Sequence, residues 1–414
     1  MAVKGKENRT IYFSISEKDY KNFENDNSVA HIVINEALKK NPNSFPSDIL
    51  EKGYKLNGKD RKSKKMNICL RRIKIGNHVY RICPSFVIPG MRGKVSEVEK
   101  VLFLAKFGVP FWALAVVFGK NAMYWYRLFV SLGQYNLVGT TVYDTSEMPT
   151  DILADEFHTR LCGVKTYIAT IIAKGCFLGM EACKQANELS LTNAYNVFKQ
   201  EVQRFISDYQ PITINADGWW ATQNALSSLF PKTKIVECFL HGFIKIRDRA
   251  TKKVIVYYEQ IADKVWNIYR TQSKQQMAQQ IRRLKEWTLK NVPACPMKEN
   301  VLKLCNKKKK WLAHFDAPSA YRTSAQLDRV MKKMERHAIN SQMFHSNIEM
   351  TTLNFRAFAL INNFSPSCPQ VTKSTGTLSS PAARLNGFVL SDSWLENLYL
   401  AAFQASFKKQ RKTL

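Results

Sequence analysis

This chain of 414 residues has few acids, only 33 Asp and Glu against 62 Lys and Arg, and the shortfall leaves a formal net charge of +29. An acidic partner is the ordinary use for such an excess, and phosphate backbones are the commonest one, because lysine and arginine release the counterions condensed on them. The nine cysteines, Cys69, Cys83, Cys162, Cys176, Cys183, Cys238, Cys295, Cys305 and Cys368, include no CxxC pair and are odd in number. That speaks against a disulfide framework, and the polar stretch from Met1 to Asn22 lacks the apolar run of a secretory signal. No GxSxG or HExxH motif occurs, and the nearest glycine loop, Gly90 to Lys94, has the wrong spacing for a phosphate-binding loop, with Val95 where Ser or Thr should follow. Serine-hydrolase, zincin and nucleotide-hydrolysing readings therefore fall away. The one long apolar run, Val101 to Gly119, is interrupted by Lys106, Gly108 and Pro110, so it reads as two short buried helices rather than a membrane span.

What is present is a chain that should fold: 45% of residues are apolar and 12% aromatic, and the length suits two or three domains. The expected localisation is cytoplasmic and nucleoid-associated in a prokaryote, or nuclear in a eukaryote. The pattern divides the chain into six parts. Residues 1–65 read as a basic arm, with a short helix over Ser28 to Lys40 and a basic run from Lys59 to Lys65. Residues 66–138 read as a β-hairpin turning at Gly76-Asn77, followed by helices over about 96–107, 111–118 and 122–132. Those helices suggest a helix-turn-helix in which Asn121, Tyr124 and Arg127 face the major groove, while Arg71 and Arg72 on the hairpin supply further DNA contacts.

After a linker at Gly139 to Pro149, strands over Ile152 to Arg160, Val164 to Ala173 and Cys176 to Ala182 are followed by an amphipathic helix over Asn193 to Tyr209. In PITINADGWWAT, Ile212, Ile214 and Ala216 alternate with Thr213 and Asn215, so Asp217 stands where a buried strand stops and a helix begins. A strand over Lys234 to Leu240 completes the first part of the core, 139–254, and the α/β order is RNase H-like by analogy. Residues 255–340 read as an α-helical insertion, 341–363 as a final core helix, and 364–414 as loop, helix and a basic tail from Lys408 to Lys412.

Carboxylates at strand ends are where α/β sheets collect ligands and metals. Asp155 and Glu349 can be matched to Asp217, although Glu156 is as available as its neighbour Asp155. Three such acids could hold two Mg²⁺ ions, which prefer hard oxygen ligands and keep several waters. Cys238 and His241 suggest zinc, but no second ligand pair accompanies them. Trp219 and Trp220 are expected to pack in the core, with stacking on a base as the alternative.

ADEFHTR around Asp155, ITINADGWWAT around Asp217, the Cys238-Phe239-Leu240-His241 pair, YRTSAQLDRVMKKMERH from Tyr321 to His337 and FHSNIEMTTLNFRAFALINNFSP around Glu349 resemble DDE transposases of the Mutator-like group. The resemblance spans roughly residues 140–400. It implies an RNase H-like catalytic core with an α-helical insertion before the final acid, and catalysis by Asp155, Asp217 and Glu349 with two Mg²⁺ or Mn²⁺ ions. It further implies cleavage and strand transfer at the terminal inverted repeats of a mobile element, and a homodimer or larger assembly holding two ends. Cys238, His241, Arg322 and His345 would position phosphate or DNA. The alternatives are a catalytically silent DNA-binding regulator of transposase descent, or an RNase H-like nuclease that cuts without joining.

Overall fold

The computed structural model describes residues 9–408, apart from 65, 91, 92, 253, 342, 343 and 377. Most of the expected basic tail and the ends of the basic runs at 1–8 and at 65 lie outside the described residues.

The amino-terminal part is folded rather than an arm. Strand β1 (Thr10–Phe13), helices α1 (Glu17–Asn25), α2 (Asn27–Lys40) and α3 (Ile49–Lys52), and strand β2 (Lys55–Lys59) precede the expected hairpin, β3 (Arg71–Ile75) and β4 (His78–Pro84). These strands form one sheet in the order β1-β4-β3-β2, with β1 parallel to β4 and the others antiparallel. Tyr20, Phe23, Ile34 and Phe45 pack with Ile73, Ile75 and Ile82 into their own core. Composition hid this unit because its apolar residues are spread thinly through a charged text.

The next helices, α4 (Val95–Lys106), α5 (Phe111–Phe118) and α6 (Ala122–Ser131), fall where the periodicity places them. Phe107 to Pro110 separates α4 from α5, and no helix among the described residues is long and apolar enough to cross a membrane. The expected linker is instead structural. Helix α7 (Leu137–Thr141) is buried throughout, and Asn136 caps it by accepting from the Gly139 amide.

A second sheet holds β5 (Asp151–Leu161), β6 (Val164–Ala173), β7 (Cys176–Cys183), β8 (Thr213–Ala216) and β9 (Lys234–Glu237), in the order β7-β6-β5-β8-β9. The first three strands are antiparallel; β8 and β9 run parallel to β5. Helices α8 (Glu188–Gln203) and α9 (Trp220–Leu229) make the crossovers on one face, where Ile152 and Ala154 meet Tyr195, Phe198 and Ala225. The other face carries Leu153 and Phe157. Burial on both faces accounts for the apolar density of β5 to β7.

After β9 the chain leaves the sheet for α10 (Phe239–Arg247), α11 (Ile255–Tyr269), α12 (Lys274–Asn291), α13 (Pro296–Asn306) and α14 (Lys308–Leu312), which share a core of their own around Phe243, Ile261, Leu284 and Trp311. Helix α15 (Ala325–Asn340) returns to the sheet, with Leu327 and Met334 fully buried, so it belongs to the sheet's cover rather than to the expected insertion. Helix α16 (Ile348–Phe364) lies along the β7 edge: Thr352 accepts from the Ala182 amide and Asn363 from the Phe177 amide. Its sequence shows little amphipathicity because it is buried on nearly every side from Thr351 to Phe364. Two short helices, α17 (Pro369–Thr375) and α18 (Pro381–Asn386), stand in the stretch expected to be loop, and α19 (Trp394–Lys408) joins the two sheets through Tyr399 and Phe403, which contact Tyr12. The whole is mixed α/β with a helical region of its own core.

Candidate functional site

Strand register brings two of the expected acids side by side. Asp151, Ile152 and Leu153 pair with Thr213, Ile214 and Asn215, so continuing two residues sets Asp155 level with Asp217 at the carboxyl end of β8. The Asp155 carboxyl feels the Asp217 charge. Burial first, then the neighbouring Glu156 and Asp217, push the Asp155 carboxyl up to about 7, while the Glu156 amide that donates to it (2.8 Å) and the nearby His241 oppose the rise. Asp217 is held by its turn: its side chain accepts from the Trp219 amide at 2.6 Å, and Gln223 donates to its backbone carbonyl at 2.9 Å.

The ambiguity between Asp155 and Glu156 is settled by alternation. Asp155 projects with Leu153 and Phe157, whereas Glu156 projects toward the crossover helices and accepts from the Tyr195 hydroxyl (2.6 Å) and the Thr222 hydroxyl (2.9 Å). Burial raises the Glu156 carboxyl and these two donors counter it. Glu156 is thus committed to structure and Asp155 is left open.

Cys238 and His241 stand on a helix, not on the expected strand. β9 stops at Glu237, and Cys238 is the residue preceding α10, which carries His241 in its first turn. Hydrogen bonding to Cys238 raises the His241 imidazole to about 9 against the effect of burial, with the Cys238, Asp155 and Asp217 charges adding to the rise. Burial pushes the Cys238 thiol up, but hydrogen bonds with His241 and Ser324 outweigh it and hold it below its ordinary value. The Ser324 amide donates to the Cys238 sulfur at 3.2 Å, and the Ser324 hydroxyl reaches the Asp328 carboxylate at 3.3 Å. A chain of hydrogen bonds therefore links Asp328, in the first turn of α15, through Ser324 to Cys238, next to His241, whose charge acts on Asp155. Sequence reading passed over Asp328, although it lies in the same YRTSAQLDRV stretch, four residues after Ser324.

Glu349 is the third expected acid. It is exposed in the first turn of α16, and two turns along the same side of that helix stands Arg356, which donates to the Gly133 and Tyr135 carbonyls beyond the β7 edge. Besides its bonds to β7, α16 reaches β5 across the sheet face, where the Phe355 ring packs edge-on against Phe157 with centroids 5.8 Å apart. The start of α16 is tied to the β5–β6 turn, where the Cys162 amide donates to the Phe344 carbonyl at 2.8 Å. His345 precedes the helix rather than sharing a face with Glu349, because Asn347 is the capping residue that accepts from the Met350 amide.

Several of the other expected contacts are already engaged within the fold. Arg71 is 2% exposed; it points inward with Ile73 and Ile75 and donates to the Phe23 carbonyl and the Asn27 side chain, so it is unavailable to DNA. Arg72 lies near Asp60, which also pairs with Arg81. Arg322 donates to the Tyr269 carbonyl at 3.1 Å, contacts His314 and covers the Phe315 ring, tying the helical block to the sheet rather than waiting for phosphate. Asn121 caps α6 by accepting from the Tyr124 amide, Tyr124 is partly buried against Trp125, and Arg127 is exposed. Trp219 and Trp220, expected in the core, are 42% and 63% exposed.

Among the described residues, no group of three His, Cys, Asp or Glu stands in ligating arrangement. Magnesium, however, is commonly held by one or two carboxylates with water and substrate phosphate completing its shell. The adjacent hard-oxygen donors Asp155 and Asp217, which have no ion-pair partner among the described residues, fit that mode. Compared with models of protein families and with curated protein sequences, the chain matches none.

Proposed function

We propose that this protein is a nucleic-acid phosphodiester-processing enzyme of the DNA transposase kind, with Asp155 and Asp217 as its central acids and Asp328 in place of Glu349 as the third. The observation that carries the proposal is the juxtaposition of Asp155 and Asp217 on neighbouring parallel strands, half-buried, with the Asp217 charge acting on Asp155, in a chain of net charge +29. Three antiparallel strands followed by two parallel ones, with the first strand central, support an RNase H-like reading of the core.

Bound divalent ions would supply charge neutralisation for an attacking and a leaving oxygen. The protein's own residues do the rest. Asp155 and Asp217 provide anionic oxygens, and a cation there would favour the deprotonated form of Asp155. His241, protonated near neutrality, sits beside both carboxylates and balances their charge; it is suited to hold a phosphate oxygen. Cys238 and Ser324 position His241 and Asp328 relative to each other. The partner is DNA, and two copies of the chain would hold two element ends.

The test is conversion of supercoiled plasmid to the nicked form by purified full-length protein with Mn²⁺ or Mg²⁺. Asp155→Asn and Asp217→Asn should each lower the rate by about 100-fold or more, Asp328→Asn by a smaller but clear factor, and Glu349→Gln should leave it unchanged. Undiminished nicking by Asp155→Asn/Asp217→Asn would overturn the proposal. Joined products from the DNA flanking its own gene would separate a transposase from a nuclease that only cuts.

A further inference from the structure

Beside Asp217 the helical block presents lysines to exposed aromatic side chains. Lys307 and Lys310 both bind the Glu237 carboxylate, Lys310 at 3.0 Å. A Cβ placed on Gly218 would stand 3.3 Å from the Lys307 ammonium and 2.8 Å from a Glu237 oxygen, so Lys307 sits directly over the turn that carries Asp217. Lys310 also reaches the Gln223 side chain at 3.5 Å, and Gln223 donates to the Asp217 carbonyl. Glu237 itself is only 6% exposed, while Lys307 and Lys310 are 38% and 51% exposed. Two ammonium groups on one buried carboxylate leave an unbalanced positive charge open to solvent, and the exposed Lys308 and Lys309 extend it.

Trp219 and Trp220 open α9 on the same turn. Large aromatic side chains normally bury most of their surface; here Trp220 leaves the larger part of its surface exposed and the preceding Trp219 a large share, next to a row of lysines. Base faces stacked on aromatics with lysines along the backbone are how single strands are held, whereas a paired duplex has its base faces already covered.

We infer that Trp219, Trp220, Lys307 and Lys310 form a lip that grips an unpaired nucleic-acid strand beside Asp217, with Glu237 as a positioning residue that fixes the two lysines. The inference rests on reading the acid pair as a phosphodiester-processing centre, and it names the form of the strand that this centre receives. Docking of the helical block onto β9 through Glu237 explains the ion pairs but leaves the exposed tryptophans without a role.

The test is fluorescence anisotropy of full-length protein in EDTA with a labelled thymidine oligonucleotide of about 20 residues, long enough to span a typical single-strand site, and with a labelled duplex of equal length. Trp219→Ala/Trp220→Ala should weaken single-strand binding by roughly 5- to 150-fold per base that stacks, with less than about a twofold change for the duplex, where stacking is unavailable. Glu237→Gln/Lys307→Gln/Lys310→Gln, which leaves no buried charge unpaired, should lower the salt slope of single-strand binding by about 1.4, the share of two phosphate contacts. Glu237→Gln alone should weaken single-strand binding, and Glu237→Asp should restore part of it. The lip is overturned if the tryptophan variant melts like the parent and binds both probes like it, or if single-strand and duplex binding fall equally. Asp155→Asn/Asp217→Asn separates the two proposals: a variant that still nicks plasmid sinks the catalytic reading, while its single-strand affinity continues to report on the lip alone.

Discussion

Two carboxylate clusters flank the central sheet, one buried and one half-buried, and they are finished differently. At the β7 edge, Glu201 accepts from the Leu137 and Val138 amides and pairs with Arg356, which donates onward to the Gly133 and Tyr135 carbonyls. Every strong group there has its partner within the chain. At the carboxyl end of β8, Asp155 and Asp217 face each other, with His241 as the only nearby cation acting on Asp155 among its main influences. A carboxylate removed from water demands compensation. The first cluster receives it from the fold; the second has only His241 among the cations acting on Asp155, the kind of imbalance the proposed function draws on.

The largest effects should come from reversing these assignments. Asp155→Asn or Asp217→Asn should cost about 100-fold or more in plasmid nicking yet leave thermal stability equal or higher, because a repulsion is removed. Arg356→Ala should do the converse, costing about 3–5 kcal/mol by leaving Glu201 buried and unpaired, read from denaturant unfolding. The pair replaced together by Arg356→Met/Glu201→Leu should recover most of that loss. A catalytic-acid variant that destabilises as much as Arg356→Ala would erase the contrast.

A smaller effect concerns pH. The folded protein holds the Asp155 proton up to about 7, above its ordinary value of 3.8. Between those two values the folded state binds the proton more tightly than the unfolded chain, so this group's stabilising contribution is present below about 4 and is lost as pH rises through 7. His241, raised from 6.5 to about 9, likewise contributes below its ordinary value and loses that contribution as pH rises through 9. Melting temperatures of Asp155→Asn should therefore fall less steeply than those of the parent between pH 5 and 7.5. The smallest expected effect is the cation's: Mg²⁺ should raise the melting temperature more at pH 7.5 than at pH 5, and Asp217→Asn should abolish the increment.

The elements nearest this site were the most legible in the text. The alternation from Ile212 to Ala216 and the break at Gly218 located Asp217, and the β5 to β7 meander located Asp155, because a strand's period of two leaves a direct trace in residue types. The hairpin at Gly76-Asn77 and the boundaries of α4 to α6 were legible for the same local reasons. The orientation of Glu349 was not legible, because a helix start shows an acid without showing which way it looks, and α16, buried nearly all round, offers no polar face to orient it. The amino-terminal sheet was missed because β1 joins β4 across some seventy residues, a pairing that no local pattern records.

By itself, then, the sequence determined the short-range matters: where chains of alternating or helical period run, where glycine and proline stop them, and that an excess of 62 cations over 33 acids calls for an anionic partner. Only the tertiary structure decided which charges meet. It placed Asp155 beside Asp217 through the β5–β8 register, linked Asp328 to Cys238 through Ser324, and left Glu349 exposed at the start of α16. The physical reason is that side-chain electrostatics acts through space over a few ångströms, and those distances are fixed by strand pairing and helix docking between residues far apart in the chain.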